Sequence, residues 1–233
     1  MGIPIVIGVT GHRDLREQDL PQLRKAVRAQ LEKLKTEYAH SELVMLNSLA
    51  CGADTLCAEE ALALGISLVC PLPMAAEEYR KDFSGDELTA FEGLLKKADE
   101  FFIAPHTEPE QPGRDYLYRQ AGIYVAAHSH VLLALWDGLP AKPGGCGTAE
   151  TVSFMLHGGY GGQDSCFHTE NDGAVIHIRT PRESGKDSFP VSVRLIENRA
   201  GSLREALKMT DRCNADALRA DSRGEPLLSG EEL

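Results

Sequence analysis

Basic charge is in short supply in this chain: 24 Lys and Arg stand against 35 Asp and Glu, a formal net charge of -11 over 233 residues. A field of that sign repels phosphodiester backbones, which disfavours general nucleic-acid binding. Nor does any stretch interleave basic and aromatic residues as a single-strand binding surface would. No run reaches the roughly 18 to 20 apolar residues of a spanning helix, so no membrane segment is expected within the chain. Met1 to Thr10 lacks a basic leader, and the apolar run Ile3 to Val9 is too short for a secretory signal. The six cysteines (Cys51, Cys57, Cys70, Cys146, Cys166, Cys213) contain no CxxC pair, and several lie in apolar segments. They read as reduced thiols of a cytoplasmic protein. His128 with His130, and Cys166 with His168, lack a third ligand at a metal spacing, so no metal is expected; no cofactor is called for either.

What is present is enough apolar material, 42% of residues, for one substantial core. Ile3 to Val9 is apolar on consecutive positions, which suits a strand buried on both faces. It runs into the small-residue turn Gly8 to Asp14. Leu20, Leu23, Val27, Leu31 and Leu34 follow helical spacing from Asp19 to Tyr38, with Pro21 in the first turn. The same alternation continues: a strand at Leu43 to Leu46, an alanine-rich helix at Thr55 to Leu64 closed by Gly65, and a strand at Ser67 to Cys70 stopped by Pro71-Leu72-Pro73. Two helical pieces between Ala75 and Lys97, a strand at Glu100 to Ala104 and a helix at Asp115 to His128 come next. Val131 to Trp136 is a strand, Ala149 to Leu156 a helix, Ala174 to Arg179 a sixth strand and Val191 to Ile196 a seventh; Leu203 to Leu218 is helical. Strands alternating with helices imply an α/β fold, a three-layer open sheet, mainly parallel, with helices on both faces. One domain is expected over residues 1–220, followed by a flexible acidic tail over 221–233.

In open parallel sheets, ligands sit beyond the carboxyl ends of the strands, where loops meet helix N-termini. Glycine-bearing loops land there at three places. The densest is Lys142-Pro143-Gly144-Gly145-Cys146-Gly147-Thr148, which opens a helix without the closing Gly-Lys-Ser/Thr of a Walker loop or the GxGxxG spacing of a dinucleotide fingerprint. Its glycines either admit a phosphate to the backbone or only turn the chain. Cys146 in that loop is a candidate for a lowered pKa, or simply a small residue. Gly8, Thr10, Gly11, His12 and Arg13 offer amides and a guanidinium matched to phosphate or carboxylate, unless Arg13 merely pairs with Asp14. Ser48, Gly52, Ala53 and Asp54 place a carboxylate at a helix start, as an N-cap or as a ribose contact. Pro73 closes the third strand beside them.

Together these loops resemble the LOG/DprA-like (SLOG) superfamily over Ile3 to Arg179. Pro143 to Thr148 is similar to the PGGxGT part of the LOG motif. Ala50-Cys51-Gly52-Ala53-Asp54-Thr55, then Ala58 to Gly65 and Pro71-Leu72-Pro73, looks like the DprA-type pattern. The resemblance implies a Rossmann-like fold and a small nucleotide-type ligand. In LOG enzymes an arginine on the preceding helix and a glutamate three residues after the motif threonine cleave the N-glycosidic bond of a nucleoside monophosphate. Arg119 takes the first place here, with Arg114 the alternative. The glutamate departs from the pattern, because Thr151 stands at that position and Glu150 lies one residue earlier, about 100° round the helix. Tyr79 to Phe83, Leu135 to Gly138 and Val175 to Arg182 look more like the prokaryotic sensor branch. The first expectation is therefore a nucleotide-binding or sensing domain, and the alternative a phosphoribohydrolase using Arg119 and Glu150. Monomer and homodimer both stay open.

Overall fold

The computed structural model describes residues 2–106, 113–140, 147–158, 173–185 and 189–223. They form a seven-stranded sheet: β1 (Ile5–Gly11), β2 (Leu43–Leu46), β3 (Ser67–Leu72), β4 (Glu100–Ile103), β5 (Val131–Trp136), β6 (Ala174–Arg179) and β7 (Ser192–Glu197). The spatial order is β4-β3-β2-β1-β5-β6-β7. Every pair is parallel except β6–β7, where Ala174 faces Glu197 and Arg179 faces Ser192 in antiparallel register. The helices are α1 (Leu20–Glu37), α2 (Ala53–Ala63), α3 (Ala76–Tyr79), α4 (Gly85–Leu95), α5 (Arg114–Ala127), α6 (Thr148–His157) and α7 (Ser202–Arg223).

The strand side chains sort the helices into two layers, since successive residues point to opposite faces. Ile5, Ile7 and Val9 pack with Leu23, Val27 and Leu31 of α1, with Leu56 of α2 and with Leu203 and Leu207 of α7. Leu132 and Ala134 pack on the other face with Val125 of α5 and with Val152 and Phe154 of α6. This is the expected open, mainly parallel Rossmann-like sheet with helices on both faces.

Several boundaries differ from the sequence reading. β1 runs on to Gly11, so Gly8 is inside the strand rather than in the turn. A Cβ there would meet Ser129 Oγ at 2.5 Å and Val125 Cγ1 at 2.9 Å. β3 continues through Pro71 to Leu72. The carbonyls of Val69 and Pro71 point toward β2, accepting Asn47 N–H and Ser48 Oγ–H, while Leu72 O accepts Ala104 N–H on the β4 side. Pro71 therefore lacks its N–H where β2 has already ended, and no ladder bond is lost. Finally, α7 extends to Arg223, past the expected start of the tail. Gly65 does follow α2 with φ of +68°, as its place after a helix C-cap requires.

Candidate functional site

The chain builds outward from β1 through β2 and β3 to β4, then returns to lay β5 on the other side of β1. The loops leaving β1 and β5 consequently diverge and leave a crevice at the carboxyl ends of the strands. A cleft of about 530 Å³ occupies that place, lined by Thr10 to Arg13, Ser48, Ala50, Asp54, Pro73, Trp136 to Asp137 and Gly147 to Thr151. Tyr79, Tyr118 and Arg182 also line it.

The floor is set by the docking of α2 on the end of β1. An added Cβ on Gly11 would lie 2.3 Å from Ala53 Cβ, so only glycine admits the helix start at this distance. Ala53 N–H donates to His12 O at 3.0 Å. Gly52 has φ of +78°, and a Cβ there would sit 2.3 Å from Arg13 O. Gly8, Gly52 and Ala53, expected as ligand contacts, are not cleft-lining residues; they close the approach of α5 and α2 on β1. His12 is buried, and its Nε2 accepts Asp137 N–H at 3.0 Å while lying 3.4 Å from Asp137 Oδ2. Burial, the largest effect, lowers its pKa, and Arg182 adds to that against the pull of Asp137. A neutral ring accepting at Nε2 carries its proton on Nδ1.

Arg13 reaches into the cleft with its guanidinium 5.2 Å from the Tyr118 ring centroid. It does not pair with Asp14, and among the described residues its side chain makes no hydrogen bond. Asp54 lies below it, at 6% exposure. Burial pushes its carboxyl up to about 7, although a hydrogen bond from Ala50 N–H and the Arg13 charge both act to lower it. The turn that presents Asp54 is held by Asn47, fully buried, whose Oδ1 accepts Leu49 N–H and whose Nδ2 donates to Asp54 O, both at 2.8 Å. Leu49 is held at φ of +57°, a conformation that a bulky side chain adopts only under constraint. Ser48 lines the cleft, but its hydroxyl donates to Pro71 O at 2.9 Å.

The opposite wall is the N-terminus of α6. Gly147, Thr148 and Ala149 line the cleft, and the N–H groups of Thr148 and Ala149 have no hydrogen-bond partner among the described residues. Such groups and the helix dipole favour an anion. Glu150 also lines the cleft, but its Oε2 accepts Gly147 N–H at 2.9 Å, the back-reaching half of a capping box. Thr151 is buried against Gly122, where a Cβ would meet its Oγ1 at 2.8 Å. Gly144, Gly145 and Cys146 lie outside the described residues.

Arg119 is placed on α5 but not among the residues lining the cleft, and Arg114 binds Asp82 and the Tyr118 hydroxyl on the surface. Arg182 does line it, although the sequence offered no reason to assign it a ligand role. Tyr118 and Asp137 line it too and were not singled out from the sequence. His130, a candidate metal ligand, spends Nδ1 accepting Val6 N–H at 3.0 Å. Among the described residues no three His, Cys, Asp or Glu stand where they could hold a metal ion, and no helix is long and apolar enough to cross a membrane.

No protein-family model matches the chain, and no curated protein matches it. Among solved structures it is similar to DNA processing protein A (DprA) from Streptococcus pneumoniae, at 15% sequence identity and a TM-score of 0.45. The match takes in 89% of this chain and 56% of that one, so the chain spans little more than half of its length. The fold of this chain, an open and mainly parallel Rossmann-like sheet, stands on its own strand order and register.

Proposed function

We propose that the chain binds a nucleotide or nucleotide derivative in the cleft at the carboxyl ends of β1 and β5, with the ligand's phosphate between Arg13 and the first turn of α6. One observation carries this: a guanidinium without a hydrogen-bond partner among the described residues shares a cleft with the open N–H groups of Thr148 and Ala149. Both are donors in want of an acceptor, and an oxyanion satisfies them together. The volume of about 530 Å³ suits a ligand of nucleotide size. The Tyr118 ring, already beside Arg13, supplies an apolar face for a base or sugar.

The rest of the reading follows from this. Residues 1–220 act as one ligand-binding domain, and the acidic balance of -11 keeps general nucleic-acid binding disfavoured. The cytoplasmic setting rests on the cysteine pattern. The hydrolase alternative is the weaker one, since Arg119 stands off the cleft lining and Glu150 is engaged in capping its own helix.

The test is thermal shift with AMP, ADP and other nucleoside phosphates. Ligand at one hundred times its Kd stabilises by about 2.7 kcal/mol, an unmistakable rise in melting point. A melting point unmoved by every nucleotide at millimolar concentration would refute the proposal.

A further inference from the structure

Arg182 enters the cleft from the turn after β6, on the far side of β1 from Arg13. Its Nε binds both oxygens of Asp14, at 2.9 and 3.2 Å. Among the described residues its two terminal nitrogens have no hydrogen-bond partner. The turn itself is fastened to the segment after β1 at several points. Leu15 and Arg182 form an isolated β-bridge. Glu183 N–H donates to Asp14 O at 2.9 Å, and Arg16 Nε donates to Arg182 O at 3.1 Å. Ser184 holds the Asp14 carboxylate through its N–H at 3.3 Å and through its hydroxyl.

This arrangement aims a guanidinium more than it neutralises one. Asp14 takes the Nε edge, which fixes the plane of the group, and a fixed plane presents the remaining edge as a preformed fork for an oxyanion. Burial acts to raise the Asp14 carboxyl, yet hydrogen bonds from Ser184 and Arg182 outweigh it and hold the group below the ordinary range, so it stays ionised as the aiming partner. Arg182 lines the same cleft as His12 at the end of β1, and its charge helps lower the His12 pKa. Arg13, by contrast, stands on the β2 side, with Tyr79, Cys51, Tyr118 and Asp54 as its electrostatic neighbours. The cleft therefore has a cationic pole on each side of β1.

We propose that Arg182 is a specificity-determining residue of the cleft that recognises a second anionic group on the ligand, so that the site prefers a nucleoside diphosphate-type ligand over a monophosphate. The inference rests on the proposed binding of an anionic nucleotide in this cleft. Asp14 and Ser184 act as positioning residues for it, because they touch Arg182 rather than the ligand.

Calorimetric titration with AMP and ADP tests it, on the wild type and on Arg182→Gln, Arg182→Lys and Asp14→Asn. ADP should bind the wild type more tightly than AMP. Arg182→Gln should weaken ADP about tenfold and AMP by about threefold or less, which collapses the discrimination between them. Arg182→Lys, which keeps the charge and loses the flat fork, should recover part of the ADP affinity, and Asp14→Asn should fall between wild type and Arg182→Gln. An ADP affinity unchanged in Arg182→Gln, or equal proportional losses for AMP and ADP, overturns the inference and leaves the cleft's nucleotide binding standing. If neither nucleotide binds the wild type, the underlying proposal fails first. Should Arg182→Gln not fold, Arg182→Lys decides: a selective loss of ADP affinity supports the role, and a wild-type ADP affinity overturns it.

Discussion

Replacing Asp54 by Asn isolates the electrostatic cost of keeping a carboxyl under the cleft floor. The group lies at 6% exposure, and burial pushes it up to about 7 from the ordinary carboxylate value of 3.8, despite the Ala50 N–H hydrogen bond and the nearby Arg13 charge. Between about pH 4 and pH 7 the folded chain thus holds a proton that the unfolded chain has released. Stability from this group is complete below the unfolded pKa, declines as pH rises through that window and is flat above it. The window spans about three pH units, and at about 1.4 kcal/mol per unit the ceiling is about 4 kcal/mol. Asparagine keeps an oxygen for Ala50 N–H but does not titrate. The stability gap between Asp54→Asn and wild type should therefore widen in the variant's favour by about 3 kcal/mol from pH 5 to pH 8. That corresponds to a relative gain of roughly 6 to 12 °C in melting point for a chain of this size. Urea unfolding at both pH values measures the gap, and any fixed cost of the amide cancels in the comparison. A gap that stays constant across the window would show that Asp54 ionises normally and that the burial argument is wrong.

Other outcomes follow from single contacts. Gly52→Ala must place a Cβ 2.3 Å from Arg13 O at φ of +78°, so urea unfolding should register a loss of about 2 to 4 kcal/mol. Arg13→Gln should weaken AMP binding by about tenfold or more in calorimetry while leaving the melting point within a degree or two, since the guanidinium makes no hydrogen bond among the described residues. Glu150→Ala removes the acceptor for Gly147 N–H and should lower stability by about 1 kcal/mol, whereas Glu150→Gln, which retains an oxygen, should stay within about 0.5 kcal/mol of wild type in the same urea experiment.

The element order was legible because it rests on local chemistry. The consecutive apolar residues of Val131 to Trp136 need no partner to be recognised as a doubly buried strand, and they form β5 with unchanged bounds. Thr10, Gly11, His12, Arg13, Ser48, Asp54, Pro73, Gly147 and Thr148 were legible as one cleft for a related reason. Alternating parallel strands and helices put these loops at one end of the sheet. Gly8, Gly52 and Ala53 lie off the cleft lining, and a small residue needed for close packing looks the same in sequence as one needed for a ligand. The distinction appears only when Ser129, Arg13 O and Gly11 are brought opposite them.

Sequence alone thus determined the kinds of segment, their order and the rim at which the turns after β1 and β2 meet the start of α6, since periodicity and turn chemistry act over a few residues. The tertiary structure decided which charges meet there. Asp14 and Arg182 stand 168 positions apart in the chain, and no local pattern couples them. Arg119, picked for its helix, is set off the cleft lining, while Arg182 enters it because the turn after β6 is fastened to the segment after β1. The elevated pKa of Asp54 has the same origin, since desolvation comes from the atoms the whole fold packs around a carboxyl and not from its neighbours in sequence.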